Sequence, residues 1–129
     1  MLVDLAIPLD FSEGMPPQLL CANTDSLGEQ IRRACPDARV VKTLNTVFKD
    51  VMVEPARVPG RHNVFVAGED SGAKDIVKDL IGEFGWPQEA IVDLGGIRAA
   101  RATEMYMALY FNLVDVLGTF EFNIAVIRA

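Results

Sequence analysis

The sequence predicts an α/β fold in which helices flank a largely parallel sheet of about four strands. The first observation behind this prediction is a series of short apolar runs without polar alternation, which is typical of strands covered on both faces. The second is that helical periodicity alternates with these runs along the chain. The third is the length of 129 residues, which suits one domain with a single core.

The first predicted strand and helix occupy the beginning of the chain. Leu2 to Ile7 is an apolar run that a proline stops, and a proline-rich loop follows it as far as Asn23. A helix is predicted to start at Ser26, because Ser26 and Glu29 have the spacing of a capping box. Pro36 ends this helix, since proline lacks the backbone N–H that a helix needs.

The middle of the chain contains the strand on which the functional prediction depends. Arg39 to Leu44 is predicted as a buried strand, and it leads into the polar pair Asn45 and Thr46. A short helix and a loop are predicted from there to Gly60. In open α/β sheets ligands bind at the carboxyl ends of strands, so the corner after this strand is where we expect a ligand site.

Two more strands are predicted beyond this loop, with a helix between them. The strands are Asn63 to Ala67 and Ala90 to Leu94. The helix carries an apolar stripe from Ala73 to Phe84 at helical spacing, and Gly85 is expected to end it.

The last part of the chain is predicted as a long apolar helix and a tail. Ala99 to Leu117 has no strand-like punctuation and is apolar almost all round, which suits the core centre or half of a subunit interface. Phe120 to Ile127 alternates apolar and polar residues, which is typical of a strand or of an extended tail lying in a groove.

Composition excludes several classes of function. The net charge of -6 argues against a nucleic-acid surface, which would need clustered Lys and Arg. No apolar run approaches the roughly 20 residues of a membrane span, and the first residues lack the basic lead of a signal peptide. Cys21 and Cys35 have no zinc or redox spacing, so we predict reduced packing residues and no metal site. A cytoplasmic protein that binds neither nucleic acid nor membrane is expected.

Four blocks of sequence occur in an order and spacing that resemble a known family. They are Leu2 to Leu9, Val40 to Thr46, Val64 to Gly68, and the helix around Thr103 to Met105 with the segment Gly118 to Val126. Read together, they resemble the NADP oxidoreductase, coenzyme F-420-dependent family over essentially the whole chain. The resemblance implies a Rossmann-type enzyme that passes a hydride between a nicotinamide dinucleotide and an acceptor, which in the best-known members is a deazaflavin.

The resemblance also implies that one part of the family fold is absent. Family chains carry a glycine-rich turn of the G-x-G-x-x-G type ahead of the first block, and no such run occurs in this sequence. That turn and the helix after it hold the pyrophosphate. We therefore expect a truncated Rossmann-like fold, the carboxyl-terminal portion of such an enzyme, that binds NADP weakly or not at all. Hydride transfer needs no protein nucleophile, so no catalytic residue is assigned.

The resemblance places the binding site at the corners that follow two strands. The implied cofactor contacts are Ile7, Pro8, Leu9, Asn45 and Thr46. The implied contacts to the redox acceptor are Asn45, Thr119 and Phe120. Family members usually have Asn before the proline of the first block, and this sequence has the apolar Ile7 there. An alternative for Asn45 is that it caps its own turn, as Asn often does.

Three other polar residues carry alternatives that the sequence leaves open. We expect Lys42 to extend to the surface rather than to bind a phosphate. We expect His62 to be a solvated loop residue rather than an acid or base. Glu104 is expected to pair with Arg98 or Arg101, and a buried acid with a function is the alternative.

Two functions remain open from the sequence. The first is an NADP-dependent oxidoreductase that is impaired or inactive as this chain alone. The second is a non-enzymatic assembly domain, because the first strand and the apolar helix both need a partner surface. That second function predicts a homo-dimer or a higher homo-oligomer.

Overall fold

The structure is a computed structural model that describes residues 1–129, and it confirms the α/β class. The strands are β1 (Leu2–Asp4), β2 (Leu9–Asp10), β3 (Gln18–Leu19), β4 (Val40–Thr43), β5 (Val64–Ala67) and β6 (Ile91–Asp93). The α-helices are α1 (Leu27–Ala34), α2 (Lys49–Val53), α3 (Ser71–Glu83), α4 (Ala100–Met105) and α5 (Met107–Leu117). Short 3-10 helices span Pro55–Arg57, Gln88–Ala90 and Ile97–Ala99.

Four strands form the main sheet in the order β1-β4-β5-β6, while β2 and β3 form a separate hairpin. The pairs β1/β4 and β5/β6 are parallel, whereas β4 and β5 are antiparallel. The sheet is therefore mostly parallel, as predicted, with one antiparallel joint. β4 ends and β5 begins at the same end of the sheet, so the connection between them does not cross the sheet. The two strands are therefore antiparallel neighbours. We call the edge where β1 and β4 end and β5 and β6 begin the exit edge.

The core lies between this sheet and α3. Five valines on the sheet and the helices around it have no exposed surface: Val41, Val51, Val64, Val66 and Val77. On α3, Ala73 and Ile81 join the core as predicted, but Ile76 and Leu80 are 52% and 40% exposed. The buried stripe is narrower than the sequence pattern because α3 packs through one face only.

Helix α1 begins with the predicted capping box. The Ser26 hydroxyl accepts a hydrogen bond from the Glu29 N–H at 3.1 Å and donates one to the Glu29 carboxylate at 2.6 Å. The first bond gives a partner to a backbone N–H that a free helix start would leave without one, and the second fixes the two side chains to each other. In α3 the Asp70 side chain performs the same task by accepting from the Ala73 N–H at 2.8 Å.

The single long apolar helix predicted from Ala99 to Leu117 is wrong. Two helices, α4 and α5, replace it, and Tyr106 separates them. The buried residues of α4 are Ala100 and the polar Thr103 and Glu104, and of α5 only Met107 and Tyr110 are buried. The two helices therefore cover the surface of the domain and do not occupy the core centre.

The tail after α5 is extended rather than a strand. Gly118 ends α5 with φ +68, a left-handed conformation that glycine adopts without a steric penalty. Asn63 then holds the tail: its N–H donates to the Ile124 carbonyl at 3.0 Å, and its side-chain oxygen accepts from the Val126 N–H at 2.8 Å. The strand alternative is therefore wrong, and the extended tail lies against the residue that precedes β5.

The carboxylate of Asp93 at the end of β6 is predicted to make stability depend on pH. It lies 2.9 Å from the Lys74 ammonium and 3.2 Å from that of Lys78. Burial raises the pKa of Asp93, but hydrogen bonds from Lys74, the Gly95 N–H and Lys78 outweigh burial and lower it to about 2. The stabilisation is therefore complete above the ordinary value of 3.8 and is lost as the pH falls towards 2.

We expect Asp93→Asn to lower the free energy of unfolding by about 1 kcal/mol at neutral pH, after allowance for solvent screening of a partly exposed carboxylate. Urea unfolding at a series of pH values measures the difference in free energy of unfolding between the unsubstituted protein and Asp93→Asn. This difference should disappear as the pH falls from about 4 to about 2. The control is Asp75→Asn, at an exposed carboxylate without an ion pair, which should change the free energy of unfolding little at neutral pH. A loss of free energy of unfolding in Asp93→Asn that stays constant down to the lowest pH would contradict the prediction.

Candidate functional site

The turns that follow β1 and β4, where the sequence predicted a ligand site, lie side by side at the exit edge. β1 and β4 are parallel neighbours, so the turns that follow them are adjacent. The hairpin β2/β3 covers the first turn, where Pro8 is buried and its carbonyl accepts from the Leu20 N–H at 2.8 Å. Ile7 and Leu9 on either side are half-buried. Their contacts with a cofactor stay a prediction.

Asn45 connects the exit edge to α4. Its side chain is buried, at 2% exposure, and its amide donates to the Thr103 carbonyl at 3.0 Å. This bond crosses 58 residues of sequence, so the side chain does not cap its own turn through that amide. The bond holds the end of β4 against the helix that follows β6.

The corner beside Asn45 carries backbone strain and an unused hydroxyl. Leu44 has φ +59, a left-handed conformation that costs a residue with a side chain about 1 kcal/mol or more. Thr46 is 2% exposed, and its hydroxyl oxygen has no hydrogen-bond partner. Buried polar atoms almost always have a partner, and strained backbone clusters at functional sites. Both observations mark this corner as a candidate ligand site.

A second buried hydroxyl without a partner belongs to Tyr106, at the junction of α4 and α5. Burial raises the pKa of Tyr106, and burial together with Tyr106 raises that of Tyr110 to about 12. Both phenols are therefore protonated donors at neutral pH. Sequence reasoning missed them because they lie in an apolar run, where two tyrosines four residues apart were the only signal. The bond from Asn45 to Thr103 joins the elements that carry the two unpartnered hydroxyls.

The tail brings Phe120 close to the chain that follows β4. Its ring stacks on Phe48 with the ring centres 5.3 Å apart, and Phe48 follows Thr46 closely in sequence. Thr119 is exposed, and its hydroxyl accepts from the Glu121 N–H at 3.0 Å. The structure thus brings the tail close to the chain that leaves β4, while contacts of Thr119 and Phe120 with an acceptor stay a prediction.

Beneath the exit edge lies a buried ion cluster of Asp4, Lys42 and Glu104. The Lys42 ammonium is 3.0 Å from the Asp4 carboxylate and 3.1 Å from the Glu104 carboxylate, and it also donates to the Ala6 carbonyl. Glu104 in addition accepts the first N–H groups of α1, from Leu27 at 2.7 Å and from Gly28 at 3.0 Å. One side chain of α4 thus connects β4 and the start of α1.

The cluster corrects two expectations from the sequence. Lys42 does not extend to the surface, because it is 1% exposed. Its ammonium donates hydrogen bonds to Asp4 and to the Ala6 carbonyl and forms an ion pair with Glu104, so a phosphate would have to displace one of these partners. Glu104 pairs with Lys42, and Arg101 forms its ion pair with Glu29 at 2.8 Å instead.

His62 is not the solvated residue that we expected. It is 8% exposed, and its Nε2 donates to the carbonyls of Pro55 at 3.0 Å and Val58 at 3.1 Å. Its Nδ1 then accepts from the Asn123 amide at 2.8 Å. With both ring nitrogens engaged, His62 fixes the loop before β5 to the tail.

The structure contains no group of three His, Cys, Asp or Glu side chains that could hold a metal ion. Neither cysteine forms a disulfide, and Cys35 is exposed rather than a packing residue. Burial, followed by the charges of Glu104 and Asp25, raises the pKa of the half-buried Cys21 thiol. None of the helices has both the length and the apolarity needed to cross a membrane.

Comparison with known proteins gives an extensive match to a solved structure. A protein from Arthrobacter sp. FB24, described as a "putative f420 dependent nadp-reductase", is 50% identical in sequence and superposes with a TM-score of 0.93. The match covers 98% of this chain and 57% of that protein, in its carboxyl-terminal portion. The chain therefore spans little more than half the length of its relative.

A more distant match is a hypothetical protein from Sinorhizobium meliloti, which is 30% identical with a TM-score of 0.54. That match covers 76% of this chain and 45% of the other. No family model and no curated protein matches the sequence. The first match confirms the resemblance that the four sequence blocks indicated.

Proposed function

Starting from its membership of the NADP oxidoreductase, coenzyme F-420-dependent family, we propose that this chain contributes part of a hydride-transfer site. The proposed part is the side that faces the nicotinamide of NADP and a deazaflavin or similar acceptor. The cofactor and the acceptor supply the hydride donor and acceptor atoms, so the chain has to bind and orient two rings. It needs no nucleophile for that task.

The observation that carries the proposal is the buried hydroxyl of Thr46, which has no partner. It lies where β4 ends, at the edge of an α/β sheet where ligands bind. Leu44, two residues earlier, has a left-handed backbone conformation, which costs free energy and fixes the path of the chain at this corner. A carboxamide or a ring carbonyl would give the hydroxyl a partner that the chain does not provide. The Tyr106 hydroxyl could donate to the same kind of group.

The chain fits the rings of the two ligands better than the pyrophosphate. The Lys42 ammonium is already held by Asp4, the Ala6 carbonyl and Glu104, and the sequence has no G-x-G-x-x-G turn. Most charged contacts with a dinucleotide in such folds come from that turn and the helix after it. We therefore propose that this chain alone has little activity.

The experiment titrates NADPH, by fluorescence or calorimetry, into this chain and into a longer chain. The longer chain carries, ahead of β1, the part of the solved relative that the match does not cover. We expect millimolar or no binding to the chain alone and submicromolar binding to the longer chain. Tight binding to the chain alone would contradict the proposal that most contacts with NADP come from the part ahead of β1. No binding to either chain would contradict the proposed cofactor.

The role of Thr46 is tested in the longer chain through Thr46→Val, which removes the hydroxyl and keeps the shape. We expect kcat/KM for hydride transfer to fall by about tenfold, the equivalent of one lost hydrogen bond of about 1.4 kcal/mol. Thr24→Val, in an exposed loop, is the matched control and should leave the rate unchanged. Equal rates for both variants would remove Thr46 from the site.

A second candidate function is an assembly domain, and the exposed face of α4 and α5 favours it. Met105, Leu109 and Val116 are 37%, 53% and 74% exposed, and they follow one another at heptad spacing with Asn112 between the last two. β1 is also the outer strand of its sheet. We propose a second copy of the chain as the partner of this face.

A further inference from the structure

A cavity of about 1010 Å³ lies at the exit edge, away from the corner of Asn45 and Thr46. Three segments surround it: the chain from Pro55 to Asn63, the turn around Trp86, and the tail from Ala125 to Arg128. Neither Asn45 nor Thr46 lines it, and Pro8 does not line it either. The cavity is thus distinct from the site proposed for hydride transfer.

The charges in its wall favour an anion. Arg61 and Arg128 line the cavity, both are exposed, and neither forms an ion pair or a side-chain hydrogen bond. The only acidic residue in the wall is Glu89. The wall therefore carries two guanidinium groups without partners and a single carboxylate. Guanidinium groups bind carboxylate, phosphate and sulfonate oxygens through paired N–H donors.

A second, smaller cavity of about 260 Å³ shows that arginines without partners do not by themselves make a cavity wall positively charged. Arg32 and Arg39 line that cavity, but Asp37, Glu69 and Asp70 line it with them. Its wall therefore carries more negative than positive charge. The larger cavity differs in having an excess of positive charge.

The larger wall also contains exposed apolar side chains. Val126 and Ile127 of the tail are 55% and 85% exposed, which leaves apolar surface that a ligand would cover. The polar side chains deeper in the wall are already satisfied: both nitrogens of His62 are engaged, and the Trp86 indole donates to the Met52 carbonyl at 2.8 Å. A ligand would therefore gain little from uncharged polar groups.

From this combination we propose that the cavity binds a small organic anion, with its acidic group at Arg61 and Arg128 and an apolar or aromatic body against Val126 and Ile127. The probe is 8-anilinonaphthalene-1-sulfonate, and N-phenyl-1-naphthylamine is the matched neutral dye with the same rings and no sulfonate. We expect the sulfonate dye to bind at least about tenfold more tightly than the neutral one, since hydrogen bonds to an ionised group are roughly twice as strong as those between neutral groups.

Variants on the wall locate the site. Arg61→Gln with Arg128→Gln should weaken binding of the sulfonate dye by about tenfold or more and leave the neutral dye unaffected. Arg39→Gln with Arg98→Gln changes the net charge equally at exposed positions outside the cavity and should leave both dyes unaffected. Ile127→Glu, at an exposed position, should also reduce binding of the sulfonate dye.

All the substituted side chains are exposed, so thermal unfolding should confirm that each variant is folded. Equal affinities for the two dyes would overturn the proposal. An equal loss of sulfonate binding in the two double variants would overturn it as well, because the effect would then follow net charge and not this cavity. The experiment does not involve NADPH, so its outcome is independent of the proposed function.

Discussion

Glu104→Gln is expected to lower the free energy of unfolding by about 3 kcal/mol, because breaking a buried ion pair typically costs about 3–5 kcal/mol. The Glu104 side chain is 1% exposed, and both of its oxygens face donors. One oxygen accepts from the Leu27 N–H, and the other accepts from the Gly28 N–H and lies 3.1 Å from the Lys42 ammonium. A glutamine has one oxygen and one NH₂ group. Whichever way the amide turns, its NH₂ faces a buried donor that then has no acceptor.

The measurement is urea unfolding followed by the fluorescence of Trp86, the only tryptophan of the chain, which is 3% exposed. The matched control is Glu13→Gln, an exposed carboxylate without a side-chain hydrogen bond, which should change stability by no more than about 0.5 kcal/mol. An effect of Glu104→Gln as small as that of the control would contradict the structural role of the cluster.

A double-mutant cycle separates the ion pair from the bonds to α1. Lys42→Met alone leaves the carboxylates of Asp4 and Glu104 buried without their cation, so it should also cost about 3 kcal/mol or more. The double variant with Glu104→Gln should be at least about 1 kcal/mol more stable than the sum of the two single losses predicts. Strictly additive losses would mean that Lys42 and Glu104 do not interact.

Local sequence patterns predicted the elements of the fold well. The valines before Lys42 predicted β4, and Ser26 with Glu29 predicted the start of α1, because each pattern lies within a few neighbouring residues. The alternation of strand and helix predicted the α/β class and the mostly parallel sheet, but not the order of the strands. The antiparallel joint between β4 and β5 had no local signal, since it depends on the path of the whole connection between them.

The polar residues were harder because their partners are distant in sequence. A lysine within a strand usually extends to water, and Lys42 does not because acids from both ends of the chain neutralise it. Asn45 was predicted at the correct edge of the sheet, but its amide bonds to Thr103, 58 residues away. No spacing rule relates such positions. The unpartnered hydroxyl of Thr46 likewise emerges only when every contact around it is known.

The second candidate function predicts that the chain is a dimer at micromolar concentration and that Leu109→Glu raises the dimer dissociation constant by at least about 100-fold. A carboxylate without a partner in the centre of an apolar interface costs several kcal/mol, and about 2.7 kcal/mol is sufficient for this change. Leu109 is 53% exposed, so the substitution should not disturb the monomer. Sedimentation velocity over a range of concentrations measures both states.

Ile76→Glu is the matched control for this prediction, because Ile76 is 52% exposed on α3, outside the face formed by α4 and α5. It should leave the dimer intact. Asn112→Leu gives a second test, since a single Asn in a heptad seam fixes the register at a cost in stability. If the face pairs with itself, the leucine should strengthen association and permit larger oligomers. A chain that sediments as a monomer throughout the micromolar range, with or without Leu109→Glu, would contradict self-association through this face.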